Sequence, residues 1–190
     1  MKHLIIVAHP SSRSFSIYLA QQLEILYKER EWEVEVRDLY KQNFNPVLSS
    51  DDLGSLKSGV TPDDIKIEQE HIASADLISV IYPLWWAGFP AILKGYIDRV
   101  LSNGFAFQYT SDGPKGLLTG KKVILHTTMG NTVEEYEEKE LIEPFRAIHG
   151  DEIFTYCGMT IKDHLFYPQI TLADEEKRDH YLKMALEVYL

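Results

Sequence analysis

Cys157 is the only cysteine in a chain of 190 residues. That scarcity excludes an intrachain disulfide framework and a zinc site built from several thiolates, and leaves Cys157 to be read as a small buried hydrophobe. Basic residues are also few. Lysines and arginines number 19 against 29 acids, for a formal charge of −10. No Lys/Arg cluster breaks that balance, so nucleic acid is not an expected partner. Long apolar runs are missing as well: nothing approaches the roughly 20 residues that span a bilayer, and the run in "MKHLIIVAHP" is too short for a signal-peptide core. A cytoplasmic protein is expected. With no internal repeat and no low-complexity segment, the length fits one domain, 1–190, able to bury a real core.

What the chain does contain is an alternation of element types. Residues 3–8, "HLIIVA", form a continuous apolar run, the pattern of a strand covered on both faces. Residues 15–29 carry Leu19, Leu23 and Leu26 at helical spacing. "WEVEVRDL" alternates strictly, which predicts a strand with one more exposed face at a sheet edge. Residues 40–62 are rich in Asn, Pro, Ser, Gly and Asp, and read as a long loop such as a lid or interface arm. A helix follows, with Thr61 as N-cap and Pro62 at its first position. "LISVIY" is a second buried strand, and residues 91–102 form a helix. "KKVILHTT" is a third buried strand, leading through "MGNT" into an acidic helical stretch. A helix over 143–157 stops at Gly158, "IKDHLFY" is a short strand, and Thr171 with Asp174 resembles a capping box for the last helix. This order predicts an α/β, flavodoxin-like, doubly wound sheet of five parallel strands, order 2-1-3-4-5.

In that topology a ligand sits at the carboxyl ends of the strands, where three chemically distinctive loops converge. "HPSSRSFS" (9–16) offers hydroxyls, Arg13 and a helix N-terminus, a combination suited to a phosphate. It is neither the G-x-G-x-x-G of a dinucleotide fold nor a P-loop. "PLWWAGFP" (83–90) supplies flat apolar walls. Because Trp85 and Trp86 are adjacent they diverge, and at most one fits easily into a core. "TTMGNT" (127–132) adds two hydroxyls at a strand end. A phosphate cradle beside an aromatic slot describes a flavin nucleotide.

The stretches "AHPSSRSFS", "EQEHIASADLISVIYPLWWAGFPAILKGYIDRVLSNGFAF" and "HTTMG" resemble the NAD(P)H:quinone oxidoreductase, or flavodoxin-2, family. That family includes the DT-diaphorase-like enzymes and small ancillary oxidoreductases of potassium-efflux systems. The resemblance implies a homodimer binding FMN or FAD, with NADH or NADPH as hydride donor and a quinone-like acceptor. It implies active sites at the subunit interface and allows a peripheral association with a membrane transporter. His9, Ser14, Phe15 and Ser16 match the phosphate loop, and Gln69 a glutamine near the nucleotide. Pro83, Leu84, Trp85 and Trp86 match the isoalloxazine wall; Thr127, Thr128, Met129 and Gly130 match the loop at its polar edge. Ala106, Phe107, Gln108 and Tyr109 match an aromatic segment that reaches the other subunit's substrate slot. Two departures stand out. Met129 replaces the first glycine of the family's usual Thr-Thr-Gly-Gly, and of the Tyr and His that follow the loop only a tyrosine, Tyr136, has a candidate. The implied catalytic residue is Tyr136, beside a flavin walled by Trp86, Phe107 and Tyr109.

Overall fold

The apolar runs at residues 2–7, 77–83 and 122–128 become the centre of one parallel sheet in the computed structural model, which describes residues 1–189. In chain order the elements are β1 (Lys2–Val7), α1 (Phe15–Glu29), β2 (Glu33–Asp38), α2 (Ser50–Lys57), α3 (Asp63–Ser74), β3 (Leu77–Pro83) and α4 (Ala91–Val100). Then come β4 (Phe107–Thr110), β5 (Gly113–Gly116), β6 (Lys122–Thr128), α5 (Val133–Glu137), α6 (Ile142–Arg146), a π-helix (Ala147–Thr155), β7 (Thr160–Tyr167) and α7 (Glu175–Glu187). The main sheet runs β2-β1-β3-β6-β7, all parallel, which is the expected 2-1-3-4-5 order. β3 is buried along its whole length, whereas β2, the alternating strand, lies at an edge.

Apolar residues fill both faces of the sheet. On one face α3, α4 and the π-helix supply Ile72, Leu93, Tyr96 and Phe154. On the other, α1 and α7 supply Leu19, Leu23, Tyr181 and Ala185. Each helix therefore buries one stripe and leaves the other to water.

Several boundaries differ from expectation for local reasons. Pro62, not Thr61, occupies the N-cap of α3 and makes no side-chain cap bond. Asp174 caps α7 by itself, accepting from the Lys177 amide, so Thr171 takes no part in a capping box. The expected long helix over 143–157 is split into α6 and the π-helix, although Gly158 does end it, at φ +90°. The segment 40–62 is not structureless. It contains α2, started by a capping box in which Ser49 and Asp52 exchange bonds. Gly95 of α4 is required there, because a Cβ at that position would stand 2.0 Å from the Pro46 carbonyl oxygen. Finally, β4 and β5 form an unexpected antiparallel hairpin. It is docked by Gly116, whose added Cβ would meet the Gly158 nitrogen at 2.2 Å.

Candidate functional site

The loops after β1, β3, β6 and β7 all leave the sheet at its carboxyl edge. In the first, Ser14 caps α1 by accepting from the Ile17 amide at 3.3 Å. The Ser11 amide donates to His9 Nδ1 at 3.1 Å, which leaves Nε2 of a neutral ring as the donor. Burial holds the His9 pKa below its ordinary value. Ser16, in the first turn of α1, is 1 % exposed, and its hydroxyl has no hydrogen-bond partner among the described residues. A recess of about 190 Å³ lies here, lined by His9, Ser14, Ser16, Thr128 and two arginines, Arg13 and Arg178. Phe15 also borders the recess, with its ring packed among Tyr167 and Tyr181, at 5.5 and 6.3 Å.

The second loop is a tight turn. Trp85 and Gly88 exchange two backbone hydrogen bonds, both 3.0 Å, and the two residues between them have positive φ, 52° at Trp86 and 58° at Ala87. This geometry separates the tryptophans as their adjacency predicts. Trp85 is half-buried with its ring 6.1 Å from that of His9, and Trp86 stands fully in solvent. Leu84 turns inward, and its amide donates to the Thr128 carbonyl at 2.8 Å, joining the second loop to the third.

The structure separates other candidates from this edge. Gln69 donates through its amide to the Val100 carbonyl (2.9 Å) and Ser102 Oγ (3.0 Å), at the far end of α4. Ala106 is fully buried, and Phe107, Gln108 and Tyr109 lie on the hairpin. That hairpin is anchored where the π-helix leads into β7, at the amino edge of the sheet. Within one chain, therefore, Phe107 and Tyr109 do not share a slot with Trp86.

Over residues 1–189 the chain matches the flavodoxin-like fold family, Flavodoxin_2. The chain belongs to that family. It is 41% identical over 188 residues to an uncharacterized NAD(P)H oxidoreductase of Haemophilus influenzae, covering 98% of this chain and 93% of that one. It is 34% identical over 185 residues to rat NAD(P)H dehydrogenase [quinone] 1, covering 83% of this chain but only 65% of the longer rat protein. Among solved structures, the NAD(P)H:quinone oxidoreductase of Methanothermobacter marburgensis superposes with TM-score 0.81 at 30% identity, covering 97% and 93% of the two chains.

In this member of the flavodoxin-like family the third loop departs from the resemblance in a specific way. Met129 does not project into a slot. It is 1 % exposed and packs with Leu84 and Phe145, while its amide donates to the Tyr167 carbonyl at 2.9 Å. Tyr136 packs against this same cluster, its ring 5.5 Å from Phe145, and burial raises its phenol pKa, so the hydroxyl keeps its proton at neutral pH. Thr127 and Thr128 diverge: Thr127 Oγ1 bonds His164 Nε2 at 2.9 Å inside the protein, whereas Thr128 borders the recess. Gly130 is exposed at the loop tip.

The fourth loop, 168–174, was not among the expected site segments. It lines the recess with Ile170 and Thr171, and α7 adds Arg178. The signal was topological: a loop following the fifth strand of this order must join the same edge. The recess continues past Arg13 and Arg178 into a wider groove of about 660 Å³ bordered by Tyr18 and Gln21. A flavin nucleotide fits this donor set. The unsatisfied Ser16 hydroxyl, two guanidinium groups and the N-terminus of α1 are what a phosphate requires.

Proposed function

We propose that this chain is an NAD(P)H-dependent flavoenzyme that reduces quinones or related acceptors by two-electron hydride transfer in ping-pong fashion. The observation that carries the reading is the buried, partnerless Ser16 hydroxyl at the start of α1, beside Arg13 and Arg178. A buried hydroxyl without a partner is costly, and a phosphate oxygen would satisfy it. When bound, the flavin supplies the hydride chemistry, accepting from a nicotinamide and delivering to the acceptor. The chain supplies orientation. Ser14 and Ser16 with the arginines hold the phosphate, His9 Nε2 donates a hydrogen bond beside it, and Trp85 and Trp86 wall the ring. Tyr136 holds a proton at its hydroxyl near the polar edge. The wider groove beyond Arg178 favours a flavin dinucleotide over the mononucleotide.

The position of the hairpin supports a homodimer. Phe107 and the exposed Tyr109 lie at the sheet edge opposite their own recess, so they are placed to serve a slot in a second copy. The acidic surface also suits an electron carrier that docks on basic partners. Purified protein decides between them. A flavin spectrum, a released cofactor identified by mass and steady NADH- or NADPH-driven quinone turnover are expected. Negligible turnover with a stable semiquinone would favour the carrier, and no flavin after reconstitution would overturn both.

Ser16→Ala is expected to act in opposite directions on two measurements. Removing the unsatisfied hydroxyl should stabilise the flavin-free protein by about 1 kcal/mol, toward the lower end of the usual penalty. It should weaken flavin binding about tenfold, the value of a charge-assisted hydrogen bond. Thermal denaturation and flavin titration would read the two effects. For Trp86→Ala, the midpoint of denaturation should stay within about 0.5 kcal/mol of the parent, with flavin retention reduced more than in Trp85→Ala. Equal retention in the two variants would reverse the assignment of the wall.

A further inference from the structure

An unbroken file of aromatic rings crosses the α1/α7 face, from the recess to the amino edge of the sheet. Phe15 borders the recess and stands 5.5 Å from the ring of Tyr167. Tyr167 and Tyr189 sandwich the imidazole of His126 at 5.9 and 5.7 Å, tilted from it by only 9° and 15°. Tyr27 follows Tyr189 at 5.7 Å, and the half-buried Trp32, just ahead of β2, follows Tyr27 at 4.8 Å.

Hydrogen bonds join the same groups. His126 Nδ1 and Nε2 lie 2.6 and 2.5 Å from the hydroxyls of Tyr167 and Tyr189. The Tyr189 hydroxyl is 2.6 Å from Ser79 Oγ, which meets His3 Nε2 at 2.7 Å. A neutral imidazole has one N–H and one acceptor nitrogen, so this chain has two possible polarities. With Tyr167 donating to Nδ1, donation runs Tyr167, His126, Tyr189, Ser79, His3, and every hydroxyl proton has an acceptor. The reverse order leaves the Tyr167 proton without one among the described residues, which is costly in a buried group. Both orders leave His3 Nδ1 unpartnered, so the first is favoured. In it each of these phenols aims its proton at an imidazole, Tyr167 directly at His126 and Tyr189 through Ser79 at His3. A phenol that loses an electron becomes a far stronger acid than an imidazolium, and a base already in contact takes its proton. Tyr27 differs: the Arg30 guanidinium lies 5.6 Å over its ring, which disfavours positive charge there. No imidazole is hydrogen-bonded to its hydroxyl among the described residues, so its ring bridges without holding a radical.

We propose that Trp32, Tyr27, Tyr189, His126 and Tyr167 form a one-electron relay that links the protein surface to the recess. A radical oxidant, such as azidyl, takes an electron from the Trp32 indole, whose N–H proton goes to water. Trp32 recovers an electron from Tyr189 across the Tyr27 ring, and a proton from water. The Tyr189 proton moves to Ser79 as that of Ser79 moves to His3 Nε2. Tyr167 then gives an electron to Tyr189 and its own proton to His126 Nδ1, while His3 and Ser79 return theirs. The oxidant ends reduced by one electron, and the hole rests on Tyr167 as a neutral phenoxyl beside a protonated His126. What refills it from the recess rests on the flavoenzyme reading above, in which NADH or NADPH supplies electrons; the relay itself does not.

The test uses azidyl radicals, generated by pulse radiolysis in full-length protein carrying Trp85→Phe and Trp86→Phe. Trp32 is then the last of the chain's three tryptophans, so the radical is loaded at that end. The indolyl absorption should decay into that of a phenoxyl at a rate independent of protein concentration. Tyr189→Phe should slow this decay at least tenfold, whereas Tyr27→Phe, which keeps the bridging ring, should slow it less than threefold. Ser79→Ala keeps every ring, cuts the proton path and should slow the decay at least threefold; it decides the matter if Tyr189→Phe fails to fold. Tyr167→Phe should leave the decay unchanged and alter the electron paramagnetic resonance spectrum of the trapped phenoxyl. A decay unaffected by Tyr189→Phe or Ser79→Ala, or abolished by Tyr27→Phe, would overturn the relay and leave the file as packing. A spectrum unaffected by Tyr167→Phe would overturn its link to the recess. Wild-type protein that binds no flavin would sink the flavoenzyme reading and leave every one of these outcomes as stated.

Discussion

Stability should fall steeply as pH drops from 7 toward 4. His3, His126 and His164 are each essentially buried, and burial lowers the pKa of each to about 3. Two of them belong to a continuous chain of hydrogen bonds inside the α1/α7 face. His3 Nε2 meets Ser79 Oγ (2.7 Å), Ser79 Oγ meets the Tyr189 hydroxyl (2.6 Å), and that hydroxyl meets His126 Nε2 (2.5 Å). His126 Nδ1 ends the chain on the Tyr167 hydroxyl at 2.6 Å. Above pH 6.5 these rings are neutral in both folded and unfolded chains, so they impose no pH dependence. Below it the unfolded chain binds protons that the folded one refuses until about pH 3. Each ring then removes about 1.4 kcal/mol of stability per pH unit. If all three titrate independently the slope approaches three times that value. Against an ordinary domain stability of about 5–15 kcal/mol, acid unfolding is expected between about pH 3 and 5. Urea denaturation at half-unit pH steps would show it, and His126→Asn should flatten the slope by about one proton. A stability unchanged between pH 7 and 5 would contradict the neutral, buried assignment.

Arg99→Ala should be the most damaging single change away from the recess. Arg99 is 3 % exposed at the end of α4 and binds Asp52 through two bonds, Nε to Oδ2 at 3.1 Å and Nη2 to Oδ1 at 3.2 Å. Nη1 adds Asp64 at 2.6 Å and the Asn45 carbonyl at 2.9 Å. One side chain thus joins the 40–62 segment, α2 and α3 to α4. Its guanidinium is the main reason that Asp52 has a pKa below the usual carboxylate range. Truncation strands a buried carboxylate that also closes the capping box of α2. Removing one partner of a buried pair costs about 3–5 kcal/mol. Early proteolytic cleavage within residues 40–62 and a matching loss in denaturation midpoint are expected. Arg99→Lys should recover only part, since an ammonium cannot reproduce the planar fork. A loss under about 1 kcal/mol would mean that the segment is held by packing alone.

How much of this was legible differs from one part of the molecule to another. The strand order followed from continuous apolar runs alternating with helical spacing, because only a doubly covered parallel sheet buries such runs. The recess was legible at Ser14 and Ser16 through their place at a helix start, and invisible at Arg178, 162 positions beyond Ser16. The helix α2 was missed because Ser, Asp and Gly are poor helix formers; its stability comes from Arg99, remote in sequence. The hairpin was missed because its docking is a backbone-to-backbone contact, Gly116 on Gly158, which leaves no side-chain pattern.

By itself, then, the amino-acid order determined the layering, the edge position of β2, the carboxyl-edge site and the divergence of Trp85 from Trp86. These follow from periodicities of two and 3.6 and from helix-terminus chemistry, which act over a few residues. Only the tertiary structure decided that Met129 is core, that Thr127 points inward to His164 while Thr128 borders the recess, and that Phe107 and Tyr109 lie away from their own site. Those outcomes depend on which side chain finds a partner across the sheet, and such partners stand tens of residues apart.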